Sequence, residues 1–356
     1  MDTKRWFFGM VVLLAAMAIG TSAFAAKVEI TRYATDGYMT MPDGKKIYVF
    51  GFTDDPNGDA KIPAPTIIVN EGDDIYLTLV NKGMNRSENL EGHTIHPHGF
   101  LVPAMFDGVP EFSVSVPPLG GKFVYYLKAE RPGTYIYHCH MRAPVHIEMG
   151  MYGMIIVRSK KGEHYAFNDE STYFDREYAY ILSEFDYRLH EAESKKETCC
   201  GKTFNVADIH PQYWIANAPF PETLKDPHLL KIKPGERILV RMLNIGQESH
   251  AMHIHGMEFT IVGKDQNMLK SPIISNTLHI APGETFDLII TIPDKEKIPE
   301  YAKVLRYKQG LDEMFPWHDH MDYKATNNGV FPGGMFIPIK VIPPDSKEQL
   351  TIFNHP

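Results

Sequence analysis

Short runs of alternating apolar and polar residues make up most of the chain, and Gly, Pro, Asn and Asp separate them. Such alternation is typical of strands that bury one face. Clear examples are DDIYLTLVN, KFVYYLKA, ERILVRMLN and ETFDLIITI. No long stretch shows the period of an amphipathic helix. The pattern therefore predicts an all-β protein built as a sandwich or barrel.

Two of these strands belong to an internal repeat. EGDDIYLTLVN and PGERILVRMLN each lead into a histidine cluster, HTIHPHGF in the first copy and HAMHIHGM in the second. Each copy continues with a Pro-initiated strand, an HxHM phrase and a closing strand (GMYGMIIV, GMFIPIKV). We therefore predict two copies of one β-domain, at 27–165 and 175–345, with an irregular connection at 186–225.

The first 26 residues, MDTKRWFFGMVVLLAAMAIGTSAFAA, have the composition of a secretory signal peptide. Lys4 and Arg5 precede an apolar run that is short for a membrane span and ends in small residues. No twin arginine is present, which favours the general secretory route. We predict a secreted or periplasmic protein with no membrane span once residues 1–26 are removed.

Charge and cysteine content exclude several classes of protein. Without Asp2, Lys4 and Arg5, the chain has 34 basic and 43 acidic residues, which argues against nucleic acid or an anionic membrane as partner. Three cysteines do not make a disulfide framework. The adjacent Cys199 and Cys200 are interpreted as an incidental pair, with copper binding or a strained disulfide as alternatives.

Four His-x-His pairs are the main chemical signal, two in each repeat at matching places. In an extended strand, residues i and i+2 point to the same face, so each pair presents two imidazoles together. Eight imidazoles suit a copper cluster, since imidazole is a favoured copper ligand. The pairs are His96 and His98, His138 and His140, His253 and His255, and His318 and His320.

Cys139 stands between His138 and His140 and faces the other side of the strand. His93, His146 and Met151 lie at plausible loop distances from it. Two histidines, one cysteine and a weak axial methionine form a blue-copper electron-transfer set. Cys139 would then bind one copper while its covalent neighbours bind the cluster behind it.

HTIHPHG, YHCHMRAPVHIEMGM, HAMHIHG and WHDH resemble the four copper motifs of multicopper oxidases, specifically of the two-domain, laccase-like branch. The resemblance covers nearly all of the chain after residue 26. It implies two cupredoxin-like Greek-key sandwiches, type 1, type 2 and type 3 coppers, and reduction of dioxygen to water. It also implies a homotrimer in which each cluster lies between neighbouring subunits.

The resemblance assigns the site residues position by position. His93, Cys139, His146 and Met151 resemble the type 1 ligands, although the usual second histidine comes five residues after the cysteine, where this chain has Pro144. The type 2 ligands correspond to His96 and His253. The type 3 ligands correspond to His98, His138, His140, His255, His318 and His320.

Asp107, in FDGVP, matches a carboxylate that assists proton delivery near the type 2 copper in this family. Asp-Gly is also a common turn pair, so a purely local role stays open. A second acidic group is expected near the type 3 pair. Glu148 and Asp322 are both candidates, and the sequence does not choose between them.

In the second repeat Asp319 replaces Cys139, and aligning the closing strands places Met335 opposite Met151. Only His250 and Met335 then remain of a type 1 set. We therefore expect one type 1 copper, in the first domain. His250 is interpreted as a relic or a local hydrogen-bonding residue, and the alternative is that it supports a neighbouring metal ligand.

The sequence predicts an oxidase that takes electrons one at a time through an exposed type 1 imidazole edge. The electron donor is either a phenol or aromatic amine, or a reduced metal ion. Two alternatives remain, a copper nitrite reductase and a non-catalytic copper-binding or electron-transfer protein. Neither needs all four histidine pairs.

Overall fold

The computed structural model describes residues 25–84, 90–195, 204–217, 229–292, 313–343 and 346–356. Residues 1–24 of the predicted signal peptide and the Cys199–Cys200 pair lie outside these ranges. Within them, no helix is long and apolar enough to cross a membrane.

The first unit is a sandwich of two sheets with strand orders β2-β1-β4-β6 and β3-β8-β7-β5. Its strands are β1 (Lys27–Thr40), β2 (Lys46–Thr53), β3 (Ala64–Asn70), β4 (Asp74–Asn81), β5 (His96–Pro97), β6 (Gly121–Lys128), β7 (Gly133–His138) and β8 (Tyr152–Arg158). The six-residue helix α1 (Ala143–Glu148) joins β7 to β8.

The second unit has one sheet of order β10-β9-β12-β17-β14-β15, to which β20 adds beside β9, and another of order β11-β19-β18-β13-β16. Its strands are β9 (Arg176–Phe185), β10 (Tyr213–Ala216), β11 (Leu230–Ile232), β12 (Arg237–Asn244), β13 (His250–Ile254), β14 (Phe259–Lys264), β15 (Asn267–Ser275), β16 (Thr277–Ile280), β17 (Thr285–Thr291), β18 (Glu313–Asp319), β19 (Phe336–Val341) and β20 (Phe353–Asn354). Helix α2 (Tyr187–Ser194) follows β9.

The two units share one pattern of strand pairing. In the first, β1 runs parallel to β4 and β4 antiparallel to β6; in the second, β9, β12 and β17 have the same relations. The second sheets match as well, because β3, β8 and β7 pair as β11, β19 and β18 do. The predicted all-β fold is confirmed. The domain limits 27–165 and 175–345 stay predictions.

Alternating side chains build the cores as the sequence pattern predicts. Along β4, Ile75, Leu77 and Leu79 are fully buried and the residues between them are only partly buried. Burying an apolar side chain of this size contributes about 1.5–3 kcal/mol.

Strand β9 departs from this alternation because both of its faces are covered. Tyr180 and Leu182 pack in the core of the second unit. Ala179 and Ile181 pack against the first unit, in a cluster that includes Met154. This interface fixes the two sandwiches against each other.

The prediction of an irregular connection at 186–225 is wrong in part. Helix α2 and strand β10 both lie within it. Leu189 of α2 is buried in the core of the first unit, so this segment packs against the first sandwich rather than only linking the two.

Candidate metal centres

The thiolate site lies at the end of β7 in the first unit. Cys139 Sγ is 3.2 Å from His146 Nδ1 and 3.8 Å from His93 Nδ1, and all three side chains are fully buried. The backbone N–H of Cys139 donates to the carbonyl of Met151 at 3.0 Å, which places this buried methionine directly beside the cysteine in the fold. The structure therefore brings together the four residues of the predicted type 1 set.

Helix α1 explains the seven-residue spacing between Cys139 and His146. Arg142 adopts a left-handed conformation (φ 43°) immediately before the helix, and the N–H of His146 donates to the Arg142 carbonyl at 3.1 Å. The chain then closes on itself, because the N–H of Met151 donates to the carbonyl of His146 at 2.9 Å. This short helix thus returns the longer loop to the cysteine.

The chemistry of these donors fits copper. Two Nδ1 atoms and Sγ lie within 4.8 Å of one another, which is the His₂Cys arrangement of a type 1 site. Burial alone would raise the pKa of the Cys139 thiol, but His146 and His93 hold it well below its usual value. A thiolate is the form that binds a metal.

A second group of donors lies on the opposite side of Cys139. His96, His98, His138 and His140 form a cluster with neighbouring rings 4.9–5.8 Å apart, and His98 Nε2 lies 3.0 Å from His138 Nε2. Burial, with help from the neighbouring imidazoles, lowers the pKa of His98 to about 4 and that of His138 to about 3. Both rings are then neutral near pH 7, as metal binding requires.

Asp107 orients one of these rings through its backbone. Its carbonyl lies 2.6 Å from His96 Nδ1, and its carboxylate, 38% exposed, lies 3.5 Å from the same nitrogen. The backbone bond fixes the tautomer and leaves His96 Nε2 for a metal. Gly108 (φ +75°) has no room for a Cβ, which would come 2.0 Å from the Ile95 carbonyl. The Asp-Gly pair is therefore both a tight turn and a support for the site.

The second unit repeats this arrangement. His253, His255, His318 and His320 form a cluster in which His255 Nε2 lies 3.0 Å from His318 Nε2 and neighbouring rings are 4.9–6.3 Å apart. His318 Nδ1 bonds to the carbonyl of the next residue, as His138 Nδ1 does in the first unit.

The two clusters are separate within one chain. Across the described ranges, every hydrogen bond or ring contact between these histidines joins members of the same cluster. His255 and His320 are exposed. The second cluster is therefore a four-imidazole group open to donors from outside the chain, whereas in the first cluster His96, His98 and His140 are only partly exposed.

An ion pair fills the position in the second unit that corresponds to the thiolate site. Asp319 Oδ2 accepts from His250 Nδ1 at 2.7 Å, and its other oxygen accepts from the N–H groups of Met321 and Ala251. Burial opposes charge on both groups, yet the pair holds the pKa of His250 above and that of Asp319 below its usual value. The N–H of Asp319 donates to the Met335 carbonyl, which agrees with the predicted alignment. His250 is thus a local hydrogen-bonding residue.

Neither candidate for the second acidic group is placed against the histidines by a hydrogen bond. Glu148 is buried at the junction with the second unit, where it accepts from the N–H of Asp186 at 2.5 Å. Asp322 is exposed in a 3-10 turn, Asp322–Ala325.

The expectation of an exposed type 1 imidazole edge is wrong. His146 is 0% exposed, and its Nε2 lies 2.8 Å from Glu91 Oε2. Sequence reasoning missed Glu91. A signal was present, since Glu91 stands two residues before His93 as Glu248 does before His250.

Comparison with protein families agrees with the copper-type donor sets seen in the structure. Two family models, both described as multicopper oxidase, match residues 56–162 and 179–316. The chain belongs to the multicopper oxidase family. Copper is therefore its cofactor, and the two sandwiches are cupredoxin-like, as predicted.

A crystal structure of a blue copper oxidase from Nitrosomonas europaea superposes on this multicopper oxidase with a TM-score of 0.69. The two are 29% identical, and the match covers 88% of this chain and 86% of that one. Laccase-15 of Oryza sativa subsp. japonica is 30% identical over 79% of this chain and 44% of its own length. A copper resistance protein A homolog of Pseudomonas syringae pv. tomato is 27% identical over 65% of this chain and 43% of its own. The chain thus spans about half the length of the curated relatives it matches.

Proposed function

We propose that this protein is a two-domain multicopper oxidase that takes single electrons from a donor and reduces dioxygen to water. One observation carries the proposal. Cys139 of the His₂Cys site is covalently joined to His138 and His140 of the imidazole cluster. The backbone of three consecutive residues thus connects an electron-accepting site to an oxygen-reducing one.

We propose the ligand assignment that follows from the family resemblance. His93, Cys139, His146 and Met151 hold one type 1 copper. His96 and His253 hold one type 2 copper. The type 3 pair is held by His98, His138, His140, His255, His318 and His320.

Bound copper would supply the one-electron redox chemistry. The protein residues would position the metal ligands, hold the imidazole rings in one orientation and deliver protons. Buried apolar side chains around Cys139 exclude water from the thiolate. The Asp107 carbonyl holds His96 in one tautomer, and its partly exposed carboxylate can pass protons from solvent toward the cluster.

The separate half-sites support the predicted homotrimer. Each half supplies four imidazoles, while a trinuclear centre in this assignment needs eight. The first unit of one subunit would meet the second unit of its neighbour.

This proposal also includes the predicted export to the periplasm or the medium. It leaves three classes of electron donor: a phenol, an aromatic amine and a reduced metal ion.

Copper content and dioxygen uptake test the proposal. The wild-type protein should bind about four coppers per subunit and consume dioxygen with a suitable donor. About two coppers with turnover of nitrite would support the nitrite reductase alternative instead. Turnover of a phenol measured beside Cu(I), Fe(II) and Mn(II) would identify the donor class.

A Cys139→Ser variant provides the sharper test. It should lose the blue absorbance and the turnover while it keeps the copper of the imidazole clusters, because His138 and His140 face away from the cysteine. Full activity in this variant would refute the proposal.

A further inference from the structure

Two turns of the second unit reach the first-unit cluster beside His98. The Nδ1 edge of the His98 ring faces Gly283, because a Cβ added to this glycine would lie 3.4 Å from His98 Cε1 and 3.8 Å from His98 Nδ1. Burial and the neighbouring imidazoles lower the pKa of His98, and a hydrogen bond to the Gly283 backbone opposes this shift. A backbone group that favours the protonated ring is a carbonyl that accepts its proton. His98 Nδ1 therefore donates to the Gly283 carbonyl.

The other turn lies against Gly99, the residue that follows His98. Gly99 has no room for a Cβ, which would collide with Gln266 Oε1. The Gln266 side chain is buried, and its Nε2 donates to the Thr134 carbonyl of β7 at 2.6 Å. Thr285 Oγ1 donates to the same carbonyl at 3.0 Å. The second unit thus holds both the turn that carries His98 and the strand beside it.

The two turns are fixed to each other and to the end of β12. The N–H of Asp265 donates to the Thr285 carbonyl at 3.0 Å, and Asp265 Oδ1 accepts from the N–H of Thr285 at 2.9 Å. The N–H of Gly283 donates to the carbonyl of Asn244, the last residue of β12, at 2.8 Å. The second unit therefore determines where the Gly283 carbonyl lies.

Neighbouring rings of the same cluster are oriented from within the first unit. His96 Nδ1 bonds to the Asp107 carbonyl at 2.6 Å, and His138 Nδ1 bonds to the carbonyl of the next residue at 3.0 Å. His98 differs from these two rings because its acceptor belongs to the other sandwich. The orientation of His98 consequently depends on how the two units of one chain pack together.

The first unit contains an equivalent turn with a different environment. The N–H of Gly120 donates to the Asn81 carbonyl at 2.8 Å, as the N–H of Gly283 does to Asn244. Both glycines have a positive φ, +95° at Gly120 and +82° at Gly283. A Cβ on Gly120 would have nothing within 4 Å. A side chain at position 120 would thus face open space, whereas one at position 283 would face His98.

We infer that Gly283 and Gln266 are positioning residues of the second unit that orient His98 of the first-unit cluster. The inference rests on the proposed function, in which His98 is a copper ligand. The Gly283 carbonyl keeps the ring proton on Nδ1, so that the Nε2 lone pair points to the metal. Gln266 keeps the turn of His98 and Gly99 against β7. The packing of the two sandwiches thereby sets the orientation of a metal ligand.

The copper affinity of a Gly283→Asn variant tests the inference. Asn tolerates a positive φ, but its side chain would have to displace the His98 ring. Loss of such an orienting bond weakens metal binding by about 10–100-fold, which competition with a chelator measures. The blue absorbance should remain, because Cys139 faces the other side of its strand. Gly120→Asn is the matched control and should keep the wild-type copper affinity.

Three further measurements separate orientation of the ring from a general loss of packing. Gly283→Ala imposes the same φ on a side chain that reaches only contact distance, so its copper affinity should stay closer to that of the wild type. Gln266→Ala should weaken cluster copper binding. Asn267→Ala removes an exposed contact with Arg131 of the first unit and should not weaken it. Nitrogen-15 NMR of the copper-free wild type should show the His98 proton on Nδ1, and Gly283→Asn should show both tautomers.

Equal copper affinities in Gly283→Asn and Gly120→Asn would overturn the inference. A wild-type His98 ring with its proton on Nε2 would also overturn it, and this measurement needs no variant to fold. A wild-type protein that binds no copper at the imidazole clusters would instead refute the proposed function, so the two failures are distinguishable.

Discussion

Replacing Glu177 by Gln would break a buried charge cluster at the junction of the two sandwiches. Glu177 Oε2 accepts from Arg158 of the first unit and from Arg241 of the second, each at 2.7 Å. Its other oxygen lies 2.6 Å from His355 Nε2. Arg241 also donates to Asp287 at 3.0 Å. The two guanidinium groups and two carboxylates balance, and all four residues are buried.

The expected loss of stability follows from this balance of two positive and two negative charges. Gln removes one negative charge, so the cluster retains two guanidinium groups and only the carboxylate of Asp287. Losing one partner of a buried ion pair costs about 3–5 kcal/mol, since the remaining charge has no water to solvate it. Glu177 is fully buried, so no solvent screening reduces this value. Such a loss is a large part of the 5–15 kcal/mol by which a domain is ordinarily stable.

Urea unfolding of the copper-free protein at one fixed protein concentration measures this loss. Glu170→Gln is the matched control, because Glu170 pairs with Lys161 at the surface and is 75% exposed. The control should leave the unfolding midpoint unchanged. A Glu177→Gln midpoint that differs from the wild type no more than the control does would show that the cluster does not hold the units together.

Three further expectations concern pH, backbone and the altered cysteine position. Burial lowers the pKa of His190 from 6.5 to about 4. Between these two pH values the unfolded chain binds a proton that the folded chain does not, so the free energy of unfolding should fall by about 3 kcal/mol as the pH drops. His190→Gln should flatten the measured pH dependence of stability. Gly150→Ala should cost more than about 1 kcal/mol in thermal unfolding and weaken the blue absorbance, because φ is +111° and a Cβ would come 2.2 Å from Ile62 Cδ1. Asp319→Cys combined with Cys139→Ser should give no blue absorbance after copper loading, because His250 and Met335 alone do not complete a type 1 set; a blue band would contradict this assignment.

The end of β7 and the two residues after it show how much of the site the sequence alone could predict. The alternation of side chains along a strand is a local property, so the sequence places His138 and His140 on one side and Cys139 on the other. The repeat likewise predicts that the second unit has the imidazoles of the cluster without the thiolate. Both expectations agree with the distances around these residues.

Contacts between distant segments decided the rest. The solvent access of His146 depends on Glu91, 55 positions earlier, and on an arginine held by Glu193 of α2. The buried cluster joins Glu177 to His355, 178 positions away. The alternation of apolar and polar residues predicts to which face of its strand a side chain points. It cannot say which other segment covers that face, because that depends on how two sandwiches and a connecting helix pack. The sequence thus predicted the candidate ligands and their sides of the strand, and the tertiary structure decided which other segments cover His146.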